Sequence, residues 1–380
     1  MLHNFAYKER SAITWLQKIL IEDASLKNQN ISSADEESEE ELVLPCPIND
    51  IALQYDLYYS GGENSMYNKR FGLNKVALRE AELIEQSFKS VLGAIKKNNS
   101  AHKVLRILDF GCGDGRLFLL LEELSNRLIG KEFNIELVGY DPSKVGIDLL
   151  SETLLQDGFK KKSDFNSSKK RYFSKNNFSV TLVLGDVEEG LEATKELIGP
   201  NIDLCLCMFG VIGHVPGRQR RINTLAALGE LLSPVGELLI SICATKVFAK
   251  EMAAYEEIRK QYKIHTKHNM GNSAKVRRAV LRLAKEEGDL YYCSNGGPNA
   301  IDNYVHLYSP QELKEDLKRA HFCTASGIKI LTLSHQFEIC NNSTKAKLDN
   351  IASRILSVLC FSDYMKNFFG KYLFIKCSKL

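Results

Sequence analysis

The stretch Val104–Leu117, V-L-R-I-L-D-F-G-C-G-D-G-R-L, decides the fold. Val104–Phe110 is a near-continuous apolar run, the pattern of a strand buried on both faces of a helix-covered parallel sheet. It ends in Gly111-x-Gly113-x-Gly115, after which Arg116–Leu124 takes up helical character. A glycine turn between a buried strand and a helix lets the backbone approach a ligand closely. It also aims the helix's first N–H groups at the ligand's anionic end. Asp109, at the end of the strand, suits a cationic or hydroxyl-bearing group and not a phosphate.

The same punctuation recurs downstream. Ile135–Tyr140 reads as a second strand ending in Asp141-Pro142-Ser143, a position from which a carboxylate can take both hydroxyls of a ribose. Ser143 is placed to cap a helix over Val145–Leu155. Val180–Leu184 is a third strand, followed by Gly185-Asp186-Val187. Asp203–Phe209 is a fourth, followed by Gly210-Val-Ile-Gly213-His214-Val-Pro216. A helix over Arg218–Leu232 and a turn at Ser233-Pro-Val-Gly236 lead to a fifth strand, Glu237–Cys243. Ile328–Leu333 and Tyr372–Cys377 complete a seven-strand pattern, with a helix over Lys345–Cys360 between them.

Acids and glycines at successive strand ends, in this order, resemble the class I S-adenosylmethionine-dependent methyltransferases. Leu108-Asp109-Phe110-Gly111-Cys112-Gly113-Asp114-Gly115 fits that family's first motif position by position. The resemblance implies an α/β fold, a Rossmann-like seven-stranded sheet that is mostly parallel with an antiparallel last strand. Helices flank the sheet, and an insertion forms a lid. It implies S-adenosylmethionine as cofactor, held by Asp109, Gly111, Cys112, Gly113 and Gly115, by Asp141 and Pro142, by Asp186 and Val187 around the adenine, and by Phe209. Tyr59 and Arg70, in an aromatic-plus-arginine segment before the first strand, would fold over the methionine end, with Arg70 pairing its carboxylate. A dinucleotide-dependent dehydrogenase fits less well, because Arg116 follows Gly115 where G-x-G-x-x-G continues toward its third glycine.

The sequence divides into an N-terminal extension and acidic linker (1–50), a helical cap (51–103, with a helix over Asn74–Lys97), the cofactor-binding core (104–243), a lid insertion (244–308) and a C-terminal completion of the sheet (309–380). Asp35–Glu41 holds six acidic residues among seven positions; without them the net charge of +3 becomes +9, a mildly basic body. With 44% hydrophobic and 26% charged residues the composition is that of an ordinary globular chain. No signal-like or membrane-length apolar run occurs. The ten cysteines make no C-x-x-C pair, which reads as reduced thiols in a cytoplasmic protein.

Gln156–Ser179 reads as an inserted surface loop with seven Lys or Arg and interleaved aromatics, a composition that also suits phosphates and bases. Ser309-Pro310-Gln311-Glu312 is a helix start. The catalytic candidates are His214, at the lip of the cleft, and His306, in a strand feeding the lid. Arg218 and Arg221 crowd a positive helix end, which suggests an anionic substrate there. His265 and His268 lack an acidic third ligand, so no metal is expected.

Gly288-Asp-Leu-Tyr-Tyr292, Tyr304–Tyr308 and Arg319-Ala-His-Phe322 further resemble the enzymes that esterify 5-carboxymethyluridine at the tRNA wobble position. That family usually has His-His where this chain has Gly213-His214. The expectation is methyl transfer to an oxygen on RNA, with a small-molecule acceptor as the alternative. A non-catalytic interaction module is the further alternative.

Overall fold

A computed structural model describes residues 55–56, 59, 75–97, 104–129, 133–162, 168–185, 190–244, 288–294, 301–324, 327–332 and 372–379. All lie in one compact unit, Leu44–Leu380. The strands are β1 (Val104–Phe110), β2 (Asn134–Asp141), β3 (Lys160–Lys161), β4 (Lys170–Lys175), β5 (Phe178–Leu184), β6 (Ile202–Cys207), β7 (Leu232–Cys243), β8 (Asp289–Ser294), β9 (Ile301–His306), β10 (Phe322–Thr324), β11 (Lys329–Thr332) and β12 (Tyr372–Lys379). The helices are α1 (Lys75–Lys97), α2 (Phe118–Leu128), α3 (Lys144–Gln156), α4 (Gly190–Ile198), α5 (Arg218–Leu231) and α6 (Pro310–Arg319).

The parallel heart of the sheet is β5-β2-β1-β6-β7, with β12 antiparallel beside β7. Strands this hydrophobic need cover on both faces. Leu105, Ile107, Ile135, Leu137, Val180, Leu182, Leu204 and Leu206 line the face that packs against α1, α2 and α3. Helices α4 and α5 pack from the other side against β5 and β7, and α6 docks on α5. Cys205 and Cys207 are fully buried in β6, so they act as small core hydrophobes as expected. No described helix is long and apolar enough to cross a membrane.

All seven expected strands are present, and three more join them. The basic stretch is not simply a loop: β4 pairs antiparallel with β5, and the two-residue β3 pairs with β4 at the sheet's edge. Its alternating K-R-Y-F-S-K pattern lacks the apolar run that announces a central strand, yet Phe173 alone drops into the core. β10 adds a short pairing on β12. Within the 244–308 insertion β8 and β9 pair as an antiparallel hairpin, with Tyr291 opposite Tyr304. The expected helix over 345–360, the 1–50 extension and residues 245–287 of the insertion fall outside the described residues.

Leu206 is completely buried in β6 whereas Leu155 on α3 is half exposed. Leu206→Ala is expected to cost about 2–5 kcal/mol in denaturant unfolding, and Leu155→Ala under about 0.5 kcal/mol.

Candidate active site

The carboxyl ends of β1, β2, β5 and β6 meet at one edge of the sheet. Asp109 pairs in register with Gly139 of β2, so it shares a sheet face with Asp141, two residues further along. Both carboxyls are buried. Burial raises Asp109 to about 7, against a lowering pull from Arg116 and a raising push from Asp141 and Glu80. Burial also raises Asp141 to about 6, although backbone N–H donors favour its charged form.

Those donors define the site. The N–H of Gly113 donates to Asp141 Oδ2 and the N–H of Ser143 to Asp141 Oδ1, each at 2.8 Å. One carboxylate therefore fastens the glycine loop to the start of α3, whose cap is Ser143 Oγ accepting from Gly146 N–H at 3.0 Å. Gly113 takes φ +53°, and a Cβ there would lie 2.1 Å from Tyr59 Oη. Tyr59, 4% exposed, lies against the loop. Asp56 anchors that segment: its Oδ1 accepts from Ser143 Oγ at 2.6 Å and from Val145 N–H at 3.0 Å. Sequence reading missed Asp56, although its place in Tyr55-Asp-Leu-Tyr-Tyr59 was the available signal.

At the end of β6, Phe209 adopts φ +62°, an uncommon conformation for a bulky residue. Its N–H donates to Ser241 Oγ, which donates to the buried Glu80 Oε1 at 2.7 Å. Glu80 Oε2 pairs with Arg116 Nη1 at 2.8 Å. The Arg116 guanidinium sits 5.0 Å over the Phe209 ring, and Tyr372 stacks on Phe209 at 5.4 Å. Glu80, Arg116, Ser241 and Tyr372 thus hold Phe209, the residue expected at the cofactor, and were given no site role from sequence. His214 ends the 3-10 turn Val211–His214, half-buried, its ring edge-on to Tyr55 at 5.4 Å.

Three expected site residues have partners within the chain. His306 is buried, its Nε2 2.8 Å from Glu312 Oε1 and its ring against Tyr308. Arg221, fully buried, approaches the same Glu312 at 3.7 Å, and Arg218 pairs with Asp316 at 2.7 Å and Glu315 at 3.2 Å. The anionic partner anticipated for these arginines is α6 of the same chain, so they dock α6 on α5. Cys112 is buried beside the loop, its thiol pushed up chiefly by burial. Pro142 follows Asp141 directly. Arg70, Asp186 and Val187 lie outside the described residues.

These residues fit S-adenosylmethionine. The glycine loop would give close backbone approach, Asp109 and Asp141 would offer carboxylates to its ammonium and ribose hydroxyls, and Tyr59 covers the loop.

Because the folded protein holds protons on Asp109 and Asp141 that an exposed aspartate (ordinary value 3.8) would release, it binds more protons than the unfolded chain between about pH 4 and 7. Stability contributed by these groups therefore falls as pH rises through that window. Thermal melts without cofactor are expected to show this fall, and Asp109→Asn to flatten it. Asp56→Ala is expected to weaken S-adenosylmethionine binding about tenfold by calorimetry, about one charge-assisted hydrogen bond, and Asp56→Asn, which keeps an acceptor oxygen, to recover most of it.

Residues 79–324 match the protein family described as "Methyltransferase domain". No curated protein matches significantly. Similar solved structures include a SAM-dependent methyltransferase from Methanosarcina mazei, 14% identical, covering 74% of this chain and 96% of that one, TM-score 0.39. Another, from Clostridium acetobutylicum, is 11% identical over 87% and 98% of the two chains, TM-score 0.39. The CcbJ methyltransferase from Streptomyces caelestis is 12% identical over 78% and 89%, TM-score 0.40. The domain match spans well over half of the chain and includes the glycine loop, Asp141 and the Phe209–His214 segment; the chain belongs to the methyltransferase-domain family and is an S-adenosylmethionine-dependent methyltransferase.

Proposed function

We propose that this enzyme methylates a carboxylate oxygen carried on an RNA base. The observation that carries the reading is where the lid hairpin docks. Strands β8 and β9 bring the two segments that resemble the wobble-uridine enzymes into one hairpin, and its end packs on the acceptor loop. A Cβ on Gly213 would lie 2.6 Å from the carbonyl oxygen of His306, so this backbone contact admits only glycine. The Tyr308 N–H bonds to Cys243 O at 3.1 Å and fixes the hairpin to the end of β7. The departure from His-His at Gly213-His214 then has a packing reason.

S-adenosylmethionine supplies a methyl group already activated by its sulfonium. The protein's task is to hold donor and acceptor in line, and orientation of this kind is worth roughly 7–11 kcal/mol. Asp141, Asp109 and the glycine loop hold the donor side. A carboxylate acceptor is ionised at neutral pH and needs no general base. His214 orients it by hydrogen bonding at the lip, with Phe209 as the neighbouring wall. His306 acts only through the hairpin, held by Glu312. The N-terminal cap around Tyr59 excludes water.

Incubation with labelled S-adenosylmethionine and either unmethylated tRNA or a small-molecule extract tests the reading. Label is expected in tRNA, released as methanol by mild alkali, as a methyl ester requires. Alkali-stable label would contradict an ester, and label confined to the extract would favour a metabolite acceptor. His214→Ala is expected to lower kcat about 10- to 100-fold while leaving S-adenosylmethionine affinity unchanged.

A further inference from the structure

The basic residues of the β3–β4 hairpin fall into two groups, those engaged by the helix layer and those exposed along the sheet's edge. Arg171, Phe173 and Lys175 point to the helix layer. Phe173 is buried there, Arg171 pairs with Asp148 and bonds Ser151 Oγ at 2.9 Å, and Lys175 pairs with Glu122 at 2.7 Å. These charges serve the fold. Lys160, Lys161, Lys162 and Lys169 are exposed, and Lys170 on the opposite face lays its ammonium 5.0 Å over the Tyr172 ring.

Strand direction decides where that second group sits. β4 runs antiparallel to β5, so its first residues lie at the carboxyl end of the parallel strands, the end that carries the active site. Backbone hydrogen bonds stitch this edge together. Gly111 N–H bonds to Tyr140 O at 2.7 Å, Gly185 N–H to Asp141 O at 2.8 Å, and Leu184 N–H to Lys169 O at 2.8 Å. Lys169 is two strands from Asp141, about 10 Å at the usual spacing of ~4.8 Å, and four strands from the acceptor lip on β6, about 19 Å. Lysines on an edge strand also discourage edge-to-edge association. That task spreads charge along a strand, whereas Lys162, Lys169 and Lys170 flank one end of the hairpin, beside the cofactor cleft, with Lys161 one residue further along β3.

We infer that Lys161, Lys162, Lys169 and Lys170, with Tyr172, form a docking surface for the phosphate backbone of the RNA acceptor, on the opposite flank of the cofactor from the acceptor lip. The inference rests on the RNA reading above and extends it. A metabolite seated at His214 does not reach across 19 Å, whereas a polynucleotide does. The lysines supply sequence-independent phosphate contacts, and Tyr172 offers a ring face to an unstacked base.

The test replaces all four lysines by alanine and measures binding of unmethylated tRNA across a salt series, beside methyl transfer and S-adenosylmethionine calorimetry. A control variant removes Lys89, Lys97, Lys314 and Lys318 instead. The hairpin variant is expected to bind tRNA at least tenfold more weakly at low salt, and its log–log salt slope to drop by about three units. Its cofactor affinity is expected to match the wild type and the control. Wild-type RNA binding and slope in the hairpin variant, with tRNA still methylated, would overturn the surface and leave the RNA reading standing. Wild-type protein that neither binds nor methylates tRNA would overturn both. Equal losses in hairpin and control variants would show bulk charge instead of a surface, and would also overturn it.

Discussion

The Asp141 carboxylate accepts one backbone N–H from the glycine loop and another from the residue that caps α3. A buried carboxyl without donors would stay protonated, and a glycine loop without this tether would have many conformations to choose from. Each solves the other's problem. The tether extends outward, because Ser143, held by its N–H to Asp141, gives its hydroxyl to Asp56 and so positions the segment that carries Tyr59. The loop, the helix start and the cap are therefore one hydrogen-bonded unit, built around the place where a cofactor with a cationic end and two hydroxyls fits.

The Phe209 side is held differently, by buried charge. Glu80 is fully buried and leans on Arg116 and Ser241, while Arg116 also faces Phe209. Taking a carboxylate and a guanidinium out of water is costly, and such pairs often add little stability over apolar replacements. Here the pair lies between the glycine loop, which Arg116 follows, and Phe209, over whose ring Arg116 sits. A left-handed Phe209 stacked between Arg116 and Tyr372 is strain held by its surroundings, the pattern expected of a positioning device. The second buried cluster, Arg221, His306 and Glu312, stands further back and locks α6 and the lid hairpin to α5.

Local pattern carried most of the fold. Apolar runs ending in Asp or Gly marked β1, β2, β5 and β6, the Ser233–Gly236 segment announced the apolar run of β7, and Ser309-Pro310 marked α6, because those signals lie within a few residues of what they specify. The edge strands β3 and β4 were illegible as strands, since an edge needs few apolar residues and basic ones suit it. The cofactor side of the site was legible through Asp109, Gly113 and Asp141. The roles of Arg218, Arg221 and His306 were not, because their carboxylate partners sit on α6, which only the fold brings against α5. Asp56 escaped notice for a similar reason: what it bonds is a hydroxyl and a backbone N–H some ninety residues away.

The central claim is that two buried, partly protonated aspartates become the ionised floor of an S-adenosylmethionine site. Calorimetric titration with S-adenosylmethionine near pH 6.5, repeated in buffers of different ionisation enthalpy, counts the protons exchanged on binding. Saturable binding with net proton release, fading above about pH 8 and reduced in Asp109→Asn, is the predicted result. Binding with no proton release, or no binding by folded protein, would contradict it.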